Sequence, residues 1–285
     1  MKTIPLLSDA RCGTMCFLWY LKSISNNSES SLFYDVNYNF SNEIGKYGKN
    51  NILVGSELLN NKEFFHGLVK EFYIKNDLSF DNDVYENKNK ERPDKYMEHL
   101  IKAINSLPDY KIPEYFTWSF HAGHLGLKHK YYEEVFKNFD YAILLERKNK
   151  LANWVSVRKS HHFEEFANYD YTDYKIEFSV EGKRNLENYE KFEEIKSRVW
   201  GTYRRLLKKY NIPNVEIFYE DWEYLNPPDQ LNYIVDKVNQ LPGVNLKVDK
   251  SVEIKHPFPK QNNYKNIEDN FTNPEVYLEY VKNKT

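Results

Sequence analysis

The chain has 285 residues, 41% hydrophobic and 29% charged, with a formal net charge of −2. This balance excludes a disordered segment and a general nucleic-acid binder, and leaves enough core for a globular fold without staples. The sequence lacks the run of about 18 apolar residues that a spanning helix needs, and Ser8, Asp9 and Arg11 interrupt any secretory leader, so a cytoplasmic protein without stable membrane insertion is expected.

Residues 3–7 (T-I-P-L-L) form a short branched apolar run that reads as a buried strand. Residues 8–14 (S-D-A-R-C-G-T) are small and polar, and residues 15–21 (M-C-F-L-W-Y-L) resume as a buried helix. Strand, tight loop and helix together suit a compact anion. Backbone N–H groups of the loop and first helical turn converge, and the helix dipole favours negative charge there. Arg11 adds a fork of donors and Thr14 a hydroxyl. The loop has neither the first Gly nor the Lys of the nucleoside triphosphate pattern, and it lacks the dinucleotide pattern as well. Cys12 and Cys16 have no second pair and no His spacing to complete a zinc site, so they read as reduced thiols.

Residues 22–50 are polar, with a short apolar segment at 32–34, and residues 51–110 read as helical patterns alternating with charged loops. Phe64, Phe65, Leu68, Val69 and Phe72 mark one helix face, residues 81–95 are solvated, and residues 96–107 form an amphipathic helix stopped by Pro108. Residues 115–120 (Y-F-T-W-S-F) make an aromatic strand leading into His121 and His124. That His pair could ligate a metal or act as a base, although no third ligand is in view. Residues 130–139 form a helix, and residues 141–145 a strand buried on both faces.

That strand ends in Glu146 and Arg147, and a helix carrying Ser156 follows. An Arg at a strand end and a Ser nine residues on can converge on one phosphate. Downstream, residues 174–178 read as a strand, residues 186–210 as a long amphipathic helix, and residues 215–219 as a parallel-type strand followed by Glu220, Asp221 and Trp222. A helix starts at Pro227, and an extended Pro-rich loop with Lys260 and Gln261 precedes a short C-terminal helix.

Two of these stretches carry a resemblance. R-C-G-T at 11–14 resembles the R-S-G-T loop by which sulfotransferases hold the 5′-phosphosulfate of 3′-phosphoadenosine 5′-phosphosulfate (PAPS). R-K-N-K-L-A-N-W-V-S at 147–156 resembles their 3′-phosphate segment. It is most similar to the R-x-D-K-x-x-Q-A-x-S of the bacterial Stf-zero-like (trehalose or glycolipid) branch, with Asn149 for Asp and Asn153-Trp154 for Gln-Ala. Y-E-D-W at 219–222 is similar to the Y-E-D-L that follows a core strand in that family.

The resemblance implies an α/β fold in three layers, P-loop-like, with a central mostly parallel sheet flanked by helices. It implies one domain over residues 1–285, with a divergent acceptor-side region at about 25–110. It also implies a PAPS-dependent sulfotransferase moving a sulfuryl group to a hydroxyl of a carbohydrate or glycolipid and releasing 3′-phosphoadenosine 5′-phosphate (PAP), with no metal required. Arg11, Cys12, Gly13, Thr14 and Met15 would hold the phosphosulfate, Arg147 and Ser156 the 3′-phosphate, and Lys260 would close over the nucleotide. Arg11 would also stabilise the leaving oxygen, and Glu29 is the first choice of general base, ahead of Asp35 and His121. Two alternatives remain open: an inactive sulfotransferase-like binder of nucleotide or glycan, and a degenerate P-loop kinase. The sequence does not name the acceptor or the oligomeric state.

Overall fold

The computed structural model describes residues 1–9, 12–26, 45–57, 74, 98, 101–102, 105, 113–121, 132–162, 174–184, 186–254 and 266–284. Its strands are β1 (Lys2–Thr3), β2 (Leu6–Ser8), β3 (Ile52–Glu57), β4 (Tyr115–His121), β5 (Ala142–Glu146) and β6 (Asn214–Phe218). They make one sheet in which each pairing is parallel. β1 and β2 are one strand in two pieces, because both keep the same offset against β4: Lys2 pairs with Tyr115 and Leu6 with Ser119. Pro5 makes the gap. It has no N–H to give the ladder, while its carbonyl still accepts from the Ile143 N–H at 3.0 Å. Tyr115 and Phe116 pair with β1 on one edge and with Ile52 and Leu53 of β3 on the other. The order across the sheet is therefore β3, β4, β1/β2, β5, β6, with the N-terminal strand in the middle.

The described helices are α1 (Thr14–Ser23), α2 (Tyr132–Phe136), α3 (Lys150–His162), α4 (Tyr189–Lys209), α5 (Pro227–Val238) and α6 (Pro274–Lys284). Side chains alternate across a strand, and here the alternation sorts the helices onto two faces. Leu6, Ile143, Leu145, Val215 and Ile217 share a buried cluster with Phe17 and Leu21 of α1 and Leu231, Ile234 and Val235 of α5. On the opposite face, the Phe120 ring meets Tyr132 and Phe136 of α2, Phe139, and Tyr203 of α4. The result is an α/β fold with a parallel central sheet flanked by helices on both faces.

The helix starts have local causes. Asn188 caps α4 by accepting from the Lys191 N–H at 3.1 Å, and Asn226 caps α5 ahead of Pro227, whose missing N–H costs nothing in a first turn. α3 packs in a separate aromatic cluster, where Trp154 meets Phe178, Tyr189 and Phe271.

Two sequence expectations are corrected. Residues 174–178 are not a strand. Ile176 makes a single isolated bridge to Phe271, and this segment serves as an anchor for the C-terminal part of the chain. Ile52–Glu57, expected within a helical and loop region, is an edge strand among the described residues; α1 packs against it, and Ile52, Leu53 and Val54 are buried. The expected helix faces at 64–72 and 96–107, and the solvated stretch at 81–95, lie outside the described residues or are touched only at single positions.

Candidate functional site

In a parallel sheet all carboxyl ends lie along one edge, and α/β sites form there. At this edge, β2 runs into residues 9–13 and then α1, β4 ends at His121, β5 runs into Arg147, and β6 into Tyr219. His121 pairs through its backbone with Ser8, next to the loop. Its side chain lies outside the described residues.

Gly13 is the N-cap of α1, with φ of 78°, and its carbonyl accepts from the Phe17 N–H at 2.9 Å. A side chain is excluded here twice. The left-handed backbone disfavours one, and a Cβ would stand 2.6 Å from Cδ2 and 2.7 Å from Cε2 of Tyr219. The loop is thus seated directly on the Tyr219 ring. The same ring carries Arg147, whose Cζ lies 5.0 Å from the ring centroid, a cation–π distance. Arg147 and the Cys12–Thr14 loop are therefore brought together at one place.

Cys12 is buried and reports the same convergence. Asn153 of α3 donates Nδ2–H to its Sγ at 3.8 Å. Burial and the Asp9 carboxylate push the thiol up to about 12, against the opposing pull of Arg147, Lys196 and Lys150. Through its bond to Cys12, Asn153 brings α3 into contact with the loop. Ser156 is one turn further along the same helix face, at i+3 from Asn153 and half-buried. Trp154 follows Asn153, and its ring is fully buried in the aromatic cluster behind.

The Y-E-D-W segment fixes the Arg147 segment. Both Glu220 carboxylate oxygens accept backbone N–H groups, from Lys148 and from Asn149, each at 2.9 Å. The Lys148 ammonium donates to Asp221 at 3.0 Å. Asn149 caps α3, its Oδ1 accepting from the Ala152 N–H at 2.9 Å.

Thr14 opens α1. Its hydroxyl oxygen is buried and has no hydrogen-bond partner among the described residues. Met15 follows, half-buried against the core beside α1. Beneath the loop, Asp9 forms an ion pair with Lys196 of α4. Lys196 escaped the sequence reading, although a signal existed. It occupies an i+4 position on the apolar stripe Phe192, Lys196, Trp200, where a charge is out of pattern. Arg11, Glu29, Asp35, His124 and Lys260 lie outside the described residues.

The chain matches no family model, no curated protein and no solved structure.

The site's chemistry therefore rests on its own groups. The described part of the edge offers an unpartnered hydroxyl, the first N–H groups of α1, and the cations of Arg147 and Lys196. The chemistry of this set suits a compact, multiply charged oxyanion. Among the described residues no group of three or more His, Cys, Asp or Glu side chains is arranged to hold a metal ion, and no helix is long and apolar enough to cross a membrane.

Proposed function

We propose that the protein is a PAPS-dependent sulfotransferase acting on a hydroxyl of a carbohydrate or glycolipid. The observation that carries this reading is the Tyr219 ring, with the Gly13 loop against it and Arg147 over it. It joins the two segments that resemble the 5′-phosphosulfate and 3′-phosphate elements. The sheet order, with the first strand central and its loop opening onto α1, fits a P-loop-like arrangement. A cytoplasmic setting fits two cysteines that are not joined in a disulfide.

In this reading the loop N–H groups from Cys12 to Met15, with Arg11, bind the phosphosulfate, while Arg147 and Ser156 bind the 3′-phosphate. Lys260 closes over the nucleotide. The acceptor oxygen attacks sulfur in line, its S–O bond forms as the bond to the bridging phosphate oxygen breaks, and PAP leaves with that electron pair. The acceptor proton passes to a carboxylate, assigned to Glu29 by its position after the first helix. Catalysis is positioning and charge stabilisation, as in phosphoryl transfer.

Calorimetry tests the reading. PAP is expected to bind, and adenosine 5′-monophosphate, which lacks the 3′-phosphate, to bind at least tenfold more weakly. Binding of ATP with Mg²⁺ in preference to PAP would replace this reading with the kinase. Labelled sulfate transfer from PAPS to a sugar panel then separates an enzyme from an inactive binder.

A further inference from the structure

The loop between β2 and α1 lacks the lysine that phosphate-binding loops of this shape carry beside the hydroxyl residue. A lysine nevertheless reaches the same place from another element. α4 leads into β6, so it runs back along the sheet and starts near the carboxyl edge, which places Lys196 in its second turn at that edge. There the Lys196 ammonium is bound to the Asp9 carboxylate, with side-chain exposures of 16% and 13%.

We infer that Lys196 is a second cation of the loop, beside Arg11, held on Asp9 and released to the oxyanion that enters the loop. Three observations converge on this. Lys196 and Arg147 both act electrostatically on Cys12 inside the loop. Thr14 is 6% exposed, and its buried hydroxyl has no partner among the described residues, which an incoming oxyanion would supply. The Asp9 backbone carbonyl also accepts from the Cys12 N–H at 3.3 Å, which puts the residue that holds Lys196 in direct contact with the loop. A buried ion pair is a weak stabiliser, because desolvation offsets its attraction. A flexible ammonium on a four-carbon stem can move to a stronger anion close by without leaving its pocket. Asp9 then has two effects: it positions Lys196, and it competes with the ligand for it.

This inference deepens the sulfotransferase reading, by naming a second cation of that same site, and is tested apart from it. The probes are pyrophosphate and PAP, measured by calorimetry in chloride buffer on the wild type, Lys196→Met, Lys196→Arg and Asp9→Asn. Lys196→Met is expected to weaken both ligands at least tenfold, Lys196→Arg to recover most of the loss, and Asp9→Asn to bind both more tightly than the wild type. A purely structural ion pair would make Asp9→Asn and Lys196→Met lose affinity together. Should Lys196→Met not fold, the double variant Asp9→Asn with Lys196→Met leaves no lone buried charge and takes its place. Unchanged affinity in Lys196→Met, a Lys196→Arg as weak as Lys196→Met, or an Asp9→Asn no tighter than the wild type overturns the inference. Lys196-dependent binding of pyrophosphate with no preference for the 3′-phosphate nucleotide retires the sulfotransferase reading alone. PAP binding without Lys196 dependence retires this inference alone, and a wild type that binds neither probe retires both.

Discussion

Gly13 and Tyr219 are in such close contact that a single added methyl group at Gly13 would lie 2.6 Å from the tyrosine ring. Neither can move without the other, and Arg147 rests on the same ring. Gly13→Ala is expected to cost about 1–3 kcal/mol of stability, from strain at positive φ together with the overlap. It should also abolish measurable PAP binding. Thermal melting and calorimetry on the same preparation check the two effects. A variant that binds PAP as the wild type does would disconnect the loop from the ligand.

Arg147→Met is expected to lower PAP affinity by at least tenfold and to leave adenosine 5′-monophosphate affinity within twofold. The contrast follows from a cation directed at the 3′-phosphate alone. Ser156→Ala should show the same contrast at a smaller size, since it removes one neutral donor worth about 1 kcal/mol. Equal losses for both nucleotides would reassign Arg147 to another part of the ligand.

Glu220→Gln keeps the shape of the side chain but removes the charge that accepts from Lys148 and Asn149. The expected cost is about 1 kcal/mol, the size of a helix cap. Amide hydrogen exchange at Lys148 and Asn149 should quicken, and PAP affinity should fall with it, because Arg147 begins this segment. Unchanged exchange at those two amides would show that the clasp is not formed in solution.

Lys159 is buried in α3 and donates to the Asn270 side chain at 2.9 Å. Burial lowers its pKa to about 8, with the nearby Lys175 adding to the effect. The sign follows from proton counting: between about pH 8 and the ordinary lysine value near 10.4, the unfolded chain binds more protons than the native one, so stability rises with pH. Urea melts of the wild type and Lys159→Met across pH 7.5–10.5, about the range set by those two values, should show the wild type gaining on the variant. A constant difference across that range would mean that Lys159 is charged and satisfied in the fold.

Glu29→Gln is expected to remove sulfuryl transfer while leaving PAP affinity unchanged. Radiolabel transfer and calorimetry read the two separately. Retained turnover passes the role to Asp35 or His121.

The strands whose side chains are apolar on both faces were legible in the sequence. Residues 141–145 announce β5, because an unbroken apolar run suits a strand covered from both sides, as Ala142–Glu146 is. β3 was not legible. Ile52, Leu53 and Val54 are followed by Gly55 and a polar stretch, and what makes them a strand is a distant partner, Tyr115 to Thr117. The converse error occurred at 174–178. Its alternating pattern is real, but Ile176 and Phe178 face an aromatic cluster rather than a sheet. At the candidate site, the Cys12–Thr14 turn and Arg147 stand out in local motifs. The parts that hold them together do not. The Glu220 grip spans 72 positions to Lys148, and the Asp9–Lys196 pair spans 187. Such pairings leave no local trace beyond a charge out of place on an apolar stripe.

The Tyr219 and Glu220 junction also bears on the order in which the molecule becomes competent during synthesis. A nascent chain emerges from its amino end, and its early segments collapse first. The Gly13 turn and Arg147 are both made long before residue 219, but the ring contact that they share waits for Tyr219. A polypeptide arrested short of Tyr219 would hold the sheet's centre and most of the described helices, without the ring on which the Gly13 turn and Arg147 meet.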